Sequence, residues 1–215
     1  MIVVRLLISL ALFPAAVATQ TVPADSLLVS KDLHLRQKLC IAPITLFQKF
    51  SYTTPGLHCQ FEPSCSHFMA LAIAEHYVLK GLVIGTDRLI RCNPFAFQYH
   101  VDEHPGQFNV DGRLLDPVPG PANKMRLNKY TAFSIIPGFG RALAGRPGDG
   151  LFSFVSVATL AAVTIRAHQR GSTGGVVVGG SLTTLFWLAD FYGASRVKRA
   201  DNGVEERRPP GNAQY

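Results

Sequence analysis

At 215 residues the chain has room for one medium domain with appendages or for two small domains. Apolar residues make up 47% and charged residues only 16%, a balance that excludes a disordered acidic or basic chain and puts membrane contact first. The net charge of +7 is unevenly placed. Residues 19–120 hold eight Lys or Arg against nine acids, and residues 121–215 hold twelve against five. Cations flanking apolar segments suit anionic lipid head groups. No nucleic acid partner is predicted, because no aromatic-rich basic groove or nucleic-acid motif accompanies the charge.

Residues 1–18, MIVVRLLISLALFPAAVA, carry one Arg, a short apolar run and an A-x-A site, the pattern of a signal peptide cleaved after Ala18. From Lys31 to Phe50 the apolar residues Leu35, Leu39, Pro43, Leu46 and Phe50 fall near helical spacing, and Pro43 is expected to interrupt or restart the helix. Such a segment lies on a membrane surface or covers the core of its own domain, and periodicity does not separate the two.

The stretch from Cys59 to Cys92 holds three of the four cysteines. Ser64 or Ser66 is expected to cap a helix running to about Leu79, with Gly81 as its end or bend and a second apolar helix over Leu82 to Ile90. An antiparallel hairpin of this kind returns Cys92 towards Cys59 and Cys65. Residues 95–120 read as irregular, rich in turn residues, with a boundary at about 120.

The C-terminal third is apolar. Tyr130 to Ala144 reads as a helix broken at Pro137-Gly138, and Leu151 to Ile165 and Gly174 to Phe191 read as a membrane hairpin, the second run interrupted only by Asp190. Small residues Gly174, Gly175, Gly179, Gly180 and Ser181 favour close helix packing. The flanks of the hairpin are basic, which by charge bias places them in the cytoplasm, whereas the signal peptide favours export of the preceding domain. The side of the membrane is left open by this conflict.

For the cysteines, an exported domain favours disulfides among Cys40, Cys59, Cys65 and Cys92, with three pairings open. Zinc held by Cys59, Cys65, Cys92 and one of His58, His67 or His76 is the rival, disfavoured by the wide C-x5-C spacing. No metal, no cofactor and no catalytic residue is predicted. The cluster Asp102, Glu103 and His104 lacks a nucleophile motif and reads as solvated loop.

The ordered set Cys59-Gln60-Phe61-Glu62-Pro63-Ser64-Cys65-Ser66-His67-Phe68, Ala72-Ile73, His76, Lys80-Gly81, Arg88, Arg91-Cys92-Asn93-Pro94 and Asp116-Pro117-Val118-Pro119 resembles the YidD family of membrane protein insertion efficiency factors. The resemblance covers about residues 38–119 and includes Ile41-Ala42-Pro43 for the family's I-S-P. Gln60, Ser64, Phe68 and Tyr77 stand where the family has Arg, Thr, Tyr and Gly, and a long insertion over about Phe97 to Leu115 precedes D-P-V-P. Residues Ser134 to Gly140 are similar to small membrane domains with an S-x-x-x-P-G-x-G-Q motif, with Arg141 in place of Gln.

The expected fold class is mainly α, a small Cys-containing helical-hairpin domain followed by a C-terminal transmembrane hairpin. The expected divisions are a signal peptide at 1–18, a YidD-like domain at 31–119, a membrane-associated hairpin region at 121–200 and a disordered tail at 201–215. The resemblance implies a bacterial inner-membrane accessory factor, not an enzyme, that assists insertion or folding of membrane proteins. Its implied partners are membrane lipids, the insertion machinery and nascent membrane proteins. Arg88 and Arg91 are expected either to meet phosphates or to cap helix ends and pair with Glu75 or Asp87. The alternative is an exported, membrane-anchored binding protein stabilised by disulfides or zinc.

Overall fold

The computed structural model describes residues 22–52, 54, 59–103, 106–120 and 127–196. The leader at 1–18, His58, His104, the side chains of Asp102 and Glu103 and the tail at 201–215 lie outside the described residues.

A short helix α1 (Asp25–Val29) leads into α2 (Leu35–Ser51). Helix α2 runs unbroken through Pro43, contrary to the expected interruption, because it is fastened on both sides of the proline. Gln37 donates to the carbonyls of Ile73 and Ala74 at 2.8 and 3.0 Å. Gln48 accepts from the Ala24 amide at 3.1 Å and donates to Ser66 at 3.3 Å. These tertiary bonds offset the backbone hydrogen bond that a proline removes. Helix α2 buries Gln37, Ile41, Thr45, Gln48 and Ser51. Its apolar stripe points outwards, with Leu35, Leu39 and Leu46 at 71%, 65% and 68% exposure.

Strand β1 (Phe61–Glu62) precedes helix α3 (Cys65–His76), which Ser64 caps by accepting from the His67 amide at 3.4 Å. Helix α4 (Val78–Arg91) follows after a single residue, Tyr77, at φ 63° and ψ 174°. The break is therefore at Tyr77 and not at the predicted Gly81. Gly81 lies inside α4, where an added Cβ would strike the backbone of Ile73. A glycine there lets the two helices cross in near contact, so the residue that looked like a stop is a packing device.

Residues expected to be irregular form helix α5 (Ala96–Glu103), whose short run was masked by the turn residues after it. Strand β2 (Leu114–Leu115) then pairs in parallel with β1 in the register Phe61 to Leu114 and Glu62 to Leu115. Phe61, Ala96 and Leu114 close a small core over this sheet, with Cys59, Cys92 and Phe108 packed against it.

Helices α6 (Lys129–Phe133) and α7 (Phe139–Leu143) are the two halves of the segment broken at Pro137-Gly138. Gly138 takes φ 81°, and a Cβ on it would strike the Gly150 carbonyl. Helices α8 (Pro147–Gln169) and α9 (Thr173–Arg196) form the C-terminal hairpin. At 23 and 24 residues, each spans roughly 35 Å, long and apolar enough to cross a bilayer. Both extend beyond the apolar runs read from the sequence. Only 17% of each apolar window is buried, so Phe152, Phe154, Val163, Val177, Leu182 and Leu188 present apolar surface outwards. Burial concentrates at one end of the hairpin, at Gly148 to Ser153 and Ala189 to Ser195, where Tyr192 joins Phe68, Ala72 and Ile84 in one core.

Candidate functional site

Five motif residues, Phe61, Pro63, Arg88, Arg91 and Asp116, meet in one clasp. The parallel pairing of β2 on β1 carries Asp116 to the C-terminal end of α4, with the Asp116 amide donating to the Glu62 carbonyl at 3.1 Å. There Arg88 Nη1 meets the Asp116 carboxylate at 2.6 Å and its carbonyl at 2.8 Å, and Arg91 Nη1 meets the same carboxylate at 2.5 Å. Arg88 also donates to the Pro63 carbonyl at 3.2 Å and is covered by the rings of Phe61 and Phe68 at 3.9 and 4.5 Å. Cation–π contact and charge-assisted hydrogen bonds reinforce one another in such a dry site. With a side-chain exposure of 0%, Arg88 does not reach a phosphate, which overturns the expected lipid-facing role for it; Arg91 is likewise engaged.

The segment after Asp116 is pinned at its far end too. His76 Nε2 lies 2.6 Å from the Pro119 carbonyl, which can only accept, so the ring carries its proton on Nε2. Pro119 is buried, whereas Pro94, in a turn, and Pro117, in an extended segment, are exposed. Burial alone would push the Asp116 carboxyl up, but the Arg91 and Arg88 charges outweigh it and hold its pKa at about 2.

The clasp continues into the C-terminal helices. Asp87 bonds Arg91 at 3.0 Å and Arg141 at 2.5 Å, and Arg141 bonds Asp190 at 2.9 Å. Asp190 also accepts from the Gly138 amide at 3.0 Å. Asn93 reaches Asp149 at 2.5 Å. Burial opposes the charge on Asp87, and Arg141 and Arg91 prevail, so its carboxyl is held below the usual range. Asp87 was expected as an arginine partner and pairs with Arg91, whereas Arg141 and Asp190 were absent from the predicted site. The legible signals were an acid interrupting an apolar run at Asp190 and a cation replacing Gln at Arg141.

Beside the clasp, Cys59, Cys65 and Cys92 bring their Sγ atoms within 4.8 Å of one another, with Cys59 and Cys65 3.3 Å apart. All four cysteines are free thiols, and Cys40 packs separately against the cluster of Ala24, Ile41, Ala70 and Ile73. Hydrogen bonds shared among the three sulfurs, that with Cys65 foremost, pull the Cys59 thiol down. The same sharing pushes Cys65 and Cys92 up. The trio borders a groove of about 770 Å³. Its walls are mostly apolar, drawn from α2 (Ile44, Phe47), α3 (Met69) and the C-terminal hairpin (Phe152, Phe186).

These features set the context for the chain's relatives. Residues 36–105 match the family model for YidD, described as "Putative membrane protein insertion efficiency factor". Proteins bearing that same description include one from Thermotoga neapolitana, 37% identical over 60 residues, covering 28% of this chain and 76% of the relative. Another, from Tolumonas auensis, is 33% identical over 91 residues, covering 42% of this chain and 89% of the relative. A third, from Nitrosospira multiformis, is 41% identical over 58 residues, covering 27% and 82% respectively. No solved structure matches the chain. With its sequence more than 30% identical to these relatives over most of their length, this chain belongs to the YidD family.

Proposed function

We propose that this protein is a non-enzymatic, membrane-associated accessory factor that assists insertion or folding of integral membrane proteins. It comprises a YidD-like domain at 31–119 and a membrane-spanning hairpin within 121–200. The observation that carries the reading is the outward apolar stripe of α2, Leu35, Leu39, Leu46, Phe47 and Phe50, on a helix whose buried side holds Gln37, Thr45, Gln48 and Ser51 around a single buried apolar residue, Ile41. A helix facing water has the opposite arrangement, so the stripe suits lipid or an apolar client segment. The groove between α2 and the hairpin adds a second apolar surface, shared by the motif domain and the two long helices.

The motif residues Cys59, Phe61, Pro63, Cys65, Ser66, His76, Gly81, Arg88, Arg91, Cys92, Pro94, Asp116, Pro117 and Pro119 are proposed to act through architecture. They fix the angle at which the stripe and the groove are presented. The partners of this role are membrane lipids, the insertion machinery and nascent membrane proteins, at the bacterial inner membrane. Pulse-labelling with protease protection, in cells lacking the gene, tests it. Insertion of insertase-dependent clients slows and is restored by the wild-type chain; unchanged insertion would overturn the proposal. Reporter fusions after Pro119 and Ser172 establish which side the domain faces.

A further inference from the structure

We propose that Cys59, Cys65 and Cys92 form a three-thiolate zinc site whose fourth coordination position opens to the groove between α2 and the C-terminal hairpin. Zinc bound by thiolates at about 2.3 Å sets neighbouring sulfurs roughly 3.8 Å apart in a tetrahedral site. With one pair at 3.3 Å and every pair within 4.8 Å, the three sulfurs are close enough for one zinc to reach all of them. The ligands come from three places in the fold: the approach to β1, the first turn of α3 and the residue closing α4. A site assembled from three elements has no knuckle spacing, which is why C-x5-C gave no zinc pattern in the sequence.

The surroundings suit thiolate ligands. The Cys65 amide donates to Cys59 Sγ at 3.3 Å, and Gln60 Nε2 approaches Cys92 Sγ at 3.8 Å while donating to the Asn93 carbonyl at 2.9 Å. Outer hydrogen bonds of this kind orient metal ligands and tune their charge. Arg88 lies within electrostatic reach of Cys59 and Cys65, offsetting negative charge on the sulfurs. Among the described residues no fourth His, Cys, Asp or Glu joins the cluster, and His76 is engaged with Pro119. Three protein thiolates leave one position of a tetrahedral zinc for a further ligand. The groove that the three cysteines border is also lined by Ser64, Ser66, Leu89 and Phe152. Binding is a proton exchange without redox change: each thiol that ligates releases its proton to solvent as the Zn–S bond forms.

This site is independent of the insertion role, which can stand without it. The test uses the full chain purified in detergent under reducing conditions, stripped with a chelator and titrated with Co²⁺ and then Zn²⁺. The expected result is about one equivalent of Co²⁺ with thiolate-to-metal charge-transfer absorption, displaced by Zn²⁺. Cys59→Ser and Cys92→Ser lose that absorption, Cys40→Ser keeps it, and Gln60→Ala keeps it with about tenfold weaker affinity. Far-ultraviolet circular dichroism confirms that each variant is helical. Absence of the absorption in the reduced wild-type chain overturns the proposal without reference to any variant. So does acid-quenched thiol trapping that finds Cys59 and Cys65 joined as a disulfide in most molecules from cells.

Discussion

The protein contains two helical hairpins, and they solve the same topological problem with opposite surfaces. The α3–α4 hairpin buries Phe68, Ala72, Ile73 and Ile84 and crosses closely at Gly81. The α8–α9 hairpin leaves most of its apolar side chains outside and buries Asp149, Ser153 and Asp190 at its base. In water the second pattern is unfavourable, because apolar area stays exposed while charges lose their hydration. In a bilayer it is the stable pattern, since lipid covers the apolar faces and the ions pair with one another. On the proposed membrane reading the two hairpins meet different solvents, and the Arg88–Asp116–Arg91–Asp87–Arg141–Asp190 chain of ion pairs lies between them.

The largest test of this comparison is to break that chain of ion pairs. Asp87 is the acid that joins Arg91 of the first hairpin to Arg141 beside the second. Asp87→Ala leaves both guanidinium groups short of a partner in a buried site, and removing one member of such a pair costs roughly 3–5 kcal/mol. Thermal melts of the detergent-solubilised chain should show that loss, with Asp87→Asn milder because it retains hydrogen-bonding capacity. A change near zero would mean that the two hairpins are energetically separate.

A smaller effect comes from acid. The Asp116 carboxyl is held at about 2 in the folded chain, against about 3.9 when unfolded. Because the folded value is the lower one, the stabilisation is fully present above about pH 4 and is lost as pH falls through about 2, a total of roughly 2–3 kcal/mol. Asp116→Asn should therefore be less stable than the wild type at neutral pH, with the difference shrinking between pH 4 and pH 2. Denaturant midpoints across that range measure it.

Much of this was legible beforehand, and the unread parts share a cause. Helical hairpins, the Ser64 cap and the approach of Cys92 to Cys59 and Cys65 follow from local spacing and short connections. The clasp was visible only as isolated motif letters, because Arg88 and Asp116 meet through a two-residue parallel sheet that no periodicity announces. The orientation of α2 was equally hidden: one apolar stripe fits burial or lipid, and only the tertiary bonds of Gln37 and Gln48 decide which face turns inwards. The same holds at Gly81, whose role depends on the Ile73 backbone of another helix.

Tyr77 offers a third, stabilising test. Its φ of 63° with ψ of 174° belongs to a region that is essentially confined to glycine, at a strain of order 1–3 kcal/mol. Tyr77→Gly removes the strain and also removes the stacking of Tyr77 on His34, whose ring centroids lie 6.2 Å apart. A net gain of about 1 kcal/mol is expected in the melt of the α3–α4 hairpin. An equal loss would show that the aromatic contact, and not the turn, governs this end of the molecule.

The smallest stability effect is expected where the functional effect is large, and that contrast separates lipid-facing surface from core. Leu39→Gln and Leu46→Gln alter side chains that are mostly exposed, so each should change unfolding stability by less than about 0.5 kcal/mol in detergent. On the opposite face, Gln48 is fully buried and bonded to Ala24 and Ser66, so Gln48→Leu strands the Ala24 amide at a cost of roughly 1–3 kcal/mol. If the apolar stripe serves the membrane or a client helix, the paired Leu39→Gln and Leu46→Gln variant fails to restore client insertion in cells lacking the gene, although it melts like the wild type. If it restores insertion fully, the stripe is incidental and the apolar work falls to the α8–α9 hairpin alone.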